Sequence, residues 1–115
     1  MTTSNKAILN RQTMQDLVGD DAELIKQFET DFLKQAKTSL GKIVQLFNDN
    51  QLPEIKEEAH FLKTSARAIG AEQAAELLQE LEYAGLAADK GECKALIVKL
   101  NQAVKLVYGE IVNGS

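Results

Sequence analysis

The single histidine of the chain, His60, stands in the stretch EIKEEAHFLKTSARAIGA with Lys56, Lys63, Thr64 and Arg67 at helical spacing around it. A neutral imidazole is a good nucleophile near pH 7. If the stretch is helical, Ile55, Ala59, Leu62, Ala66 and Ile69 make one apolar stripe, and His60 points roughly 140° away from its middle. Lys56, Lys63 and Arg67 fall with His60 in an arc of about 60°, and Thr64 lies just beyond. The spacing therefore predicts a solvent-facing imidazole in a cationic strip, on a chain whose net charge is −4. Such a strip suits an incoming phosphoryl group, whose charge approaches about −2 when fully ionised. The cations also favour the neutral, attacking form of the ring. Lys63, one turn on, is the nearer cation, and Arg67, two turns along, is placed to steer a partner.

The plain alternative is a solvated histidine on a charged face. Other chemistries fit less well. One His and one Cys cannot supply the nitrogen and sulfur ligands of a usual zinc site, so no metal is expected. Ser65 lies on the other side of the helix, near the edge of the buried face, which rules out a Ser-His-Asp arrangement with His60. No glycine-rich phosphate loop is present, so there is no ATP-binding motif.

The elements that must position His60 are helical. At 115 residues, with 44% hydrophobic and 26% charged residues, the chain has the makings of one soluble domain able to bury roughly two-thirds of its unfolded surface. There is one proline, and no strand-like alternation, internal repeat or linker. Ile8–Val18 reads as a short capping helix ending at Gly19. Asp20 and Asp21 are N-cap candidates for a long segment with Leu24, Phe28, Phe32, Ala36, Ile43 and Phe47 inward, which Gly41 bends or breaks. Pro53 suits the first turn of the histidine helix, which ends at Gly70. The third helix carries Ala74, Leu77, Leu78, Leu81 and Ala84 inward and runs to about Ala88. After an ADKG loop, the last helix repeats Leu96, Leu100, Ala103 or Val104, Val107 and Ile111. The expected fold is all-α: an antiparallel four-helix bundle with a short N-terminal capping helix, in a single domain over 1–115 with residues 1–7 as a flexible tail.

Net negative charge argues against nonspecific nucleic-acid binding. No apolar run is long enough to span a membrane, the first residues are too polar for a signal peptide, and the lone Cys93 suits a reducing compartment. A cytoplasmic monomer is expected.

AHFLKTSARAIGA closely resembles the motif of histidine-containing phosphotransfer (HPt) domains, H-x-L-K-G-S-x-x-x-I/L-G-A. The matching positions are His60, Leu62, Lys63, Ser65, Ile69, Gly70 and Ala71, and the resemblance extends roughly over Met14 to Val112. It implies that His60 accepts a phosphoryl group and that Lys63 is the cation beside it. It further implies a polar residue on the following helix that orients the ring or contacts the phosphoryl group, for which Gln79 and Glu82 are candidates. Two positions depart from the motif: Thr64 replaces the usual glycine, and Ala66 a common small polar residue. The Thr64 branch either hinders a docking partner or donates its hydroxyl to the phosphoryl group. Lys56 and Phe61 are expected on the partner surface, with burial of Phe61 under the N-terminal segment as the alternative.

The implied function is that of a phosphoryl carrier in a multistep phosphorelay, rather than a stand-alone enzyme. Its partners would be response-regulator receiver domains and a hybrid histidine kinase, and Mg²⁺ would reside on the receiver, with no cofactor on this chain. Two alternatives stay open. One is a helical adaptor that binds through the His60 face without phosphorylation; the other is the phosphotransfer domain of a chemotaxis-type histidine kinase. A start at Met1 and an end soon after the last helix favour a free-standing protein.

Overall fold

Five helices account for the regular structure of residues 6–113, the part of the chain described by this computed structural model. They are α1 (Arg11–Val18), α2 (Ala22–Asn48), α3 (Leu52–Ile69), α4 (Glu72–Leu86) and α5 (Lys90–Asn113). Helices α2 to α5 form the four-helix bundle: α2 packs on α3, α3 on α4, α4 on α5, and α5 returns to α2. The short loops make successive helices antiparallel neighbours. Helix α1 caps the assembly, packed on α2 and α3.

Local signals set most boundaries. The Asp21 carboxylate accepts the Leu24 N–H at 3.1 Å and starts α2. Gly41 does not break that helix, which runs uninterrupted for 27 residues with Gly41 on its exposed side. Pro53 occupies the first turn of α3. Gly70 closes α3 in the left-handed conformation (φ 85°), and the Ala71 N–H returns to the Ala66 carbonyl at 2.9 Å. The chain then turns directly into α4, which ends at Leu86, and Asp89 caps α5 through the Glu92 N–H. Gly91 is therefore helical rather than part of the loop.

The stripe expected on α3 is buried throughout, as are Leu96, Leu100, Ala103, Val107 and Ile111 of α5. Ala103 faces the core, and Val104 packs at its edge. Cys93 is completely buried there, and desolvation pushes its thiol above the ordinary value. The beginning of α2 is phased differently from the expectation. Phe28 is exposed, while Glu29 is buried with Ile25 half-covered. Arg11 of α1 provides the reason: its guanidinium lies 3.5 Å from the Glu29 carboxylate and also donates to the Glu110 carbonyl at 2.7 Å.

The N-terminal helix is shorter than Ile8–Val18 because Asn10 is extended and caps it, accepting the Gln12 N–H. Residues Lys6 to Asn10 instead form a strap across the α3–α4 corner. The Asn10 N–H donates to the Gly70 carbonyl, Gln73 N–H to the Ala7 carbonyl, and the Glu72 carboxylate accepts from both Ala7 N–H and the Asn10 amide. Lys6 and Ala7, expected in a free tail, are thus tied to α4, since Gln73 also donates to the Lys6 carbonyl. The rest of that tail, residues 1–5, lies outside the described residues. No helix among the described residues is long and apolar enough to cross a membrane.

Candidate functional site

His60 lies midway along α3, on the side that borders α4, and 60% of its side chain is exposed. Its Nδ1 sits 3.4 Å from Oε2 of Glu82 on α4. The same oxygen is 2.6 Å from Lys63 Nζ, and Lys63 also donates to Gln79 Oε1 at 2.7 Å. The four side chains form one cluster on the α3–α4 seam. Gln79 and Glu82 are one turn apart on α4, so both reach the same stretch of α3. Close helix packing brings them there: a Cβ on Gly85 would lie 2.8 Å from the Leu52 carbonyl oxygen, so only glycine permits this approach.

Burial divides the cluster. The side chains of Lys63 and Glu82 are each only 7% exposed, whereas the imidazole stands largely in solvent. Two opposite charges removed from water require each other, and 2.6 Å is a tight ion pair. Glu82 Oε2 nevertheless makes no hydrogen bond of good geometry with either neighbour, and Nδ1 is the ring nitrogen of His60 that faces this buried acceptor.

The expected cationic strip is therefore only partly present. Lys63 is not a solvent-facing cation next to His60 but the buried counter-ion of Glu82. On the helical wheel it lies about 80° from the middle of the apolar stripe, a flank that α4 covers. Arg67 is exposed and lines an open cleft of about 380 Å³ with Gln79, Glu76 and Glu72. Lys56 is half-buried. Thr64 is exposed, and its hydroxyl donates to the His60 carbonyl at 3.2 Å, so that oxygen is engaged with the backbone of its own helix. Phe61 is 59% exposed, which removes the alternative of burial under the N-terminal segment. Ser65 turns toward α2 and donates to Gln35 Oε1 at 2.7 Å, and Ala66 is fully buried.

Two exposed apolar residues on α4 went unremarked in the sequence. Tyr83 follows Glu82, and Leu86 lies one turn beyond it, both more than half exposed. Their positions relative to Glu82 are the signal that would have found them.

The family model of the Hpt domain matches residues 27–107, well over half of the chain. The chain belongs to the Hpt domain family. No curated protein matches it significantly. Membership in the Hpt family places the chain in phosphotransfer of two-component and phosphorelay signalling, where such domains engage receiver and kinase components. The match spans all of α3 and α4, so the α3–α4 cluster lies within the matched residues.

Proposed function

We propose that this Hpt domain is a phosphorelay intermediate that accepts a phosphoryl group on His60 from a receiver-domain aspartate and passes it to a second receiver. The observation that carries the reading is the pairing of an exposed imidazole with a buried carboxylate at its Nδ1. A proton on Nδ1 facing Glu82 leaves the lone pair on Nε2, so Nε2 is the attacking atom. Nε2 attacks phosphorus in line as the bond to the aspartyl oxygen breaks. The receiver's carboxylate leaves with the electron pair, and the new P–N bond leaves the ring cationic with its Nδ1 proton in place. The Glu82 carboxylate offsets that charge, while Lys63 and Gln79 keep the carboxylate in position. The second transfer reverses these steps. The receiver supplies Mg²⁺, and docking uses the exposed surface around His60, including Phe61, Arg67 and the outer part of Lys56.

The test is transfer from a receiver domain carrying radiolabelled aspartyl phosphate with Mg²⁺, alongside His60→Gln. Acid-labile, alkali-stable label on the wild type alone, on Nε2 by NMR, is the expected result. No label from any of several receivers on a folded helical protein would overturn the proposal in favour of a binding-only adaptor.

A further inference from the structure

Helices α2 and α5, which pack together without being consecutive in the chain, leave a groove along their shared seam. Its two stretches, about 470 Å³ and 310 Å³, follow one another along the two helices and both border Leu40, Asn101 and Lys105. Half-buried Leu33, Leu40, Ile97 and Val104 make the floor, each packed against the core from below. Val44, Val98 and Tyr108 rise from the walls with 41%, 52% and 56% of their surface exposed. The charged lining consists of Lys34, Lys37 and Lys105, with no carboxylate among the lining residues. On a chain with 17 acidic and 13 basic residues, an apolar groove whose charged lining residues are all lysines is a local reversal of charge.

We infer that this groove docks an acidic amphipathic helix of a partner protein. A trough between two helices accepts a third helix, with apolar side chains in the trough and polar ones at its edges. From Leu33 to Val44 the trough runs roughly 16 Å, about three helical turns. The matching ligand places apolar residues at i, i+4 and i+7, with Asp or Glu flanking them to meet the three lysines. The lysine stems add apolar wall while their ammonium groups stay in water. Two other occupants fit less well. A two-fold dimer through this groove would set its lysines against their own copies, and a flat bilayer does not fill a concave trough.

The groove lies across the bundle from the α3–α4 seam, because α2 and α5 pair on the side opposite it. A partner held there leaves His60 open, so the site serves as a tether during transfer at the other face. Docking in the groove does not depend on phosphorylation of His60; its role as a tether rests on the proposed function.

The probe is a fluorescent synthetic three-turn helix with Leu at i, i+4 and i+7 and flanking Glu, titrated into the full chain. A peptide with Lys in place of Glu is the control. Saturable binding of the acidic peptide alone is expected, weakening with salt, with amide shifts confined to α2 and α5. The exposed triple variant Lys34→Glu/Lys37→Glu/Lys105→Glu, with unchanged helical spectrum, should lose about tenfold or more in affinity while accepting phosphate at the wild-type rate. Equal binding of both peptides, shifts at the His60 face, or no binding would overturn the inference. So would self-association of the chain through the same amides, or binding to phosphatidylserine vesicles without peptide binding; these results would assign the groove to a second copy or to a lipid surface.

Discussion

Lys63 Nζ lies 2.6 Å from Glu82 Oε2 with both side chains 7% exposed, so the carboxylate nearest the His60 ring is held by an ammonium that barely reaches solvent. This relationship changes what Lys63 does. Its charge is balanced by Glu82, the one residue of the cluster that lies against both Lys63 and the His60 ring, while Gln79 accepts a second hydrogen bond from Lys63.

Removing either partner alone strands a buried charge. We expect Lys63→Met and Glu82→Leu each to cost about 3 kcal/mol or more in urea unfolding, and the double variant to regain most of that loss. The functional outcome should differ from the stability outcome. The double variant, although folded, lacks the acceptor for Nδ1–H and should transfer phosphate at least about tenfold more slowly than wild type. Stability losses that simply add would show that the two charges act independently, and full transfer in the double variant would remove Glu82 from the mechanism.

Thr64 stands where the Hpt motif has glycine, and its hydroxyl is occupied by the His60 carbonyl at 3.2 Å. The contact is to the backbone, so a direct role toward phosphate would require it to break. Thr64→Gly should therefore leave transfer intact or faster, while costing roughly 0.5 kcal/mol through the lower helix propensity of glycine. Thr64→Val keeps the branch and removes the hydroxyl, and it should transfer like wild type. A loss of more than tenfold in both variants would make the hydroxyl a working contact; slow transfer in neither but acceleration in glycine alone would identify the branch as a steric brake.

What was legible in the sequence was what local patterns decide. The α3 stripe, the Asp21 cap, Pro53 and Gly70 each act within a turn or two of themselves, and each stands where the pattern put it. The burial of Lys63 was not legible, because a residue on the flank of a stripe is wet or dry according to how closely the next helix approaches. That closeness depends on Gly85 meeting the Leu52 carbonyl, a contact between residues far apart in the chain. Phe28, expected inward, is exposed for the same kind of reason: the buried neighbour is Glu29, whose carboxylate is met by Arg11 from the N-terminal helix. The strap is invisible to local pattern: its first residues look like a polar tail and Ile8 and Leu9 like the start of a helix, while its hydrogen bonds go to the α3–α4 corner more than sixty positions away.

That strap gives the last prediction a pH axis. Hydrogen bonds from the Asn10 side chain and the Ala7 N–H hold the Glu72 carboxyl below its ordinary value of 4.5, with Lys6 adding a smaller attraction. A depressed folded value means that the ionised form is the one the fold prefers. The tether's contribution is thus complete above pH 4.5 and fades as pH falls through the lowered folded value. Glu72→Gln keeps one carbonyl acceptor but cannot serve both donors as the carboxylate does. We expect the variant to melt below wild type at pH 7, with the gap narrowing toward pH 3, and the Ala7 amide to exchange faster in the variant at neutral pH. A gap that stays constant from pH 7 to pH 3 would mean that ionised Glu72 does not anchor the strap. If the gap narrows and the transfer rate to His60 is unchanged, the strap stabilises the α3–α4 corner without setting the geometry of Glu82; a parallel fall in transfer would extend its influence along α4 to the site.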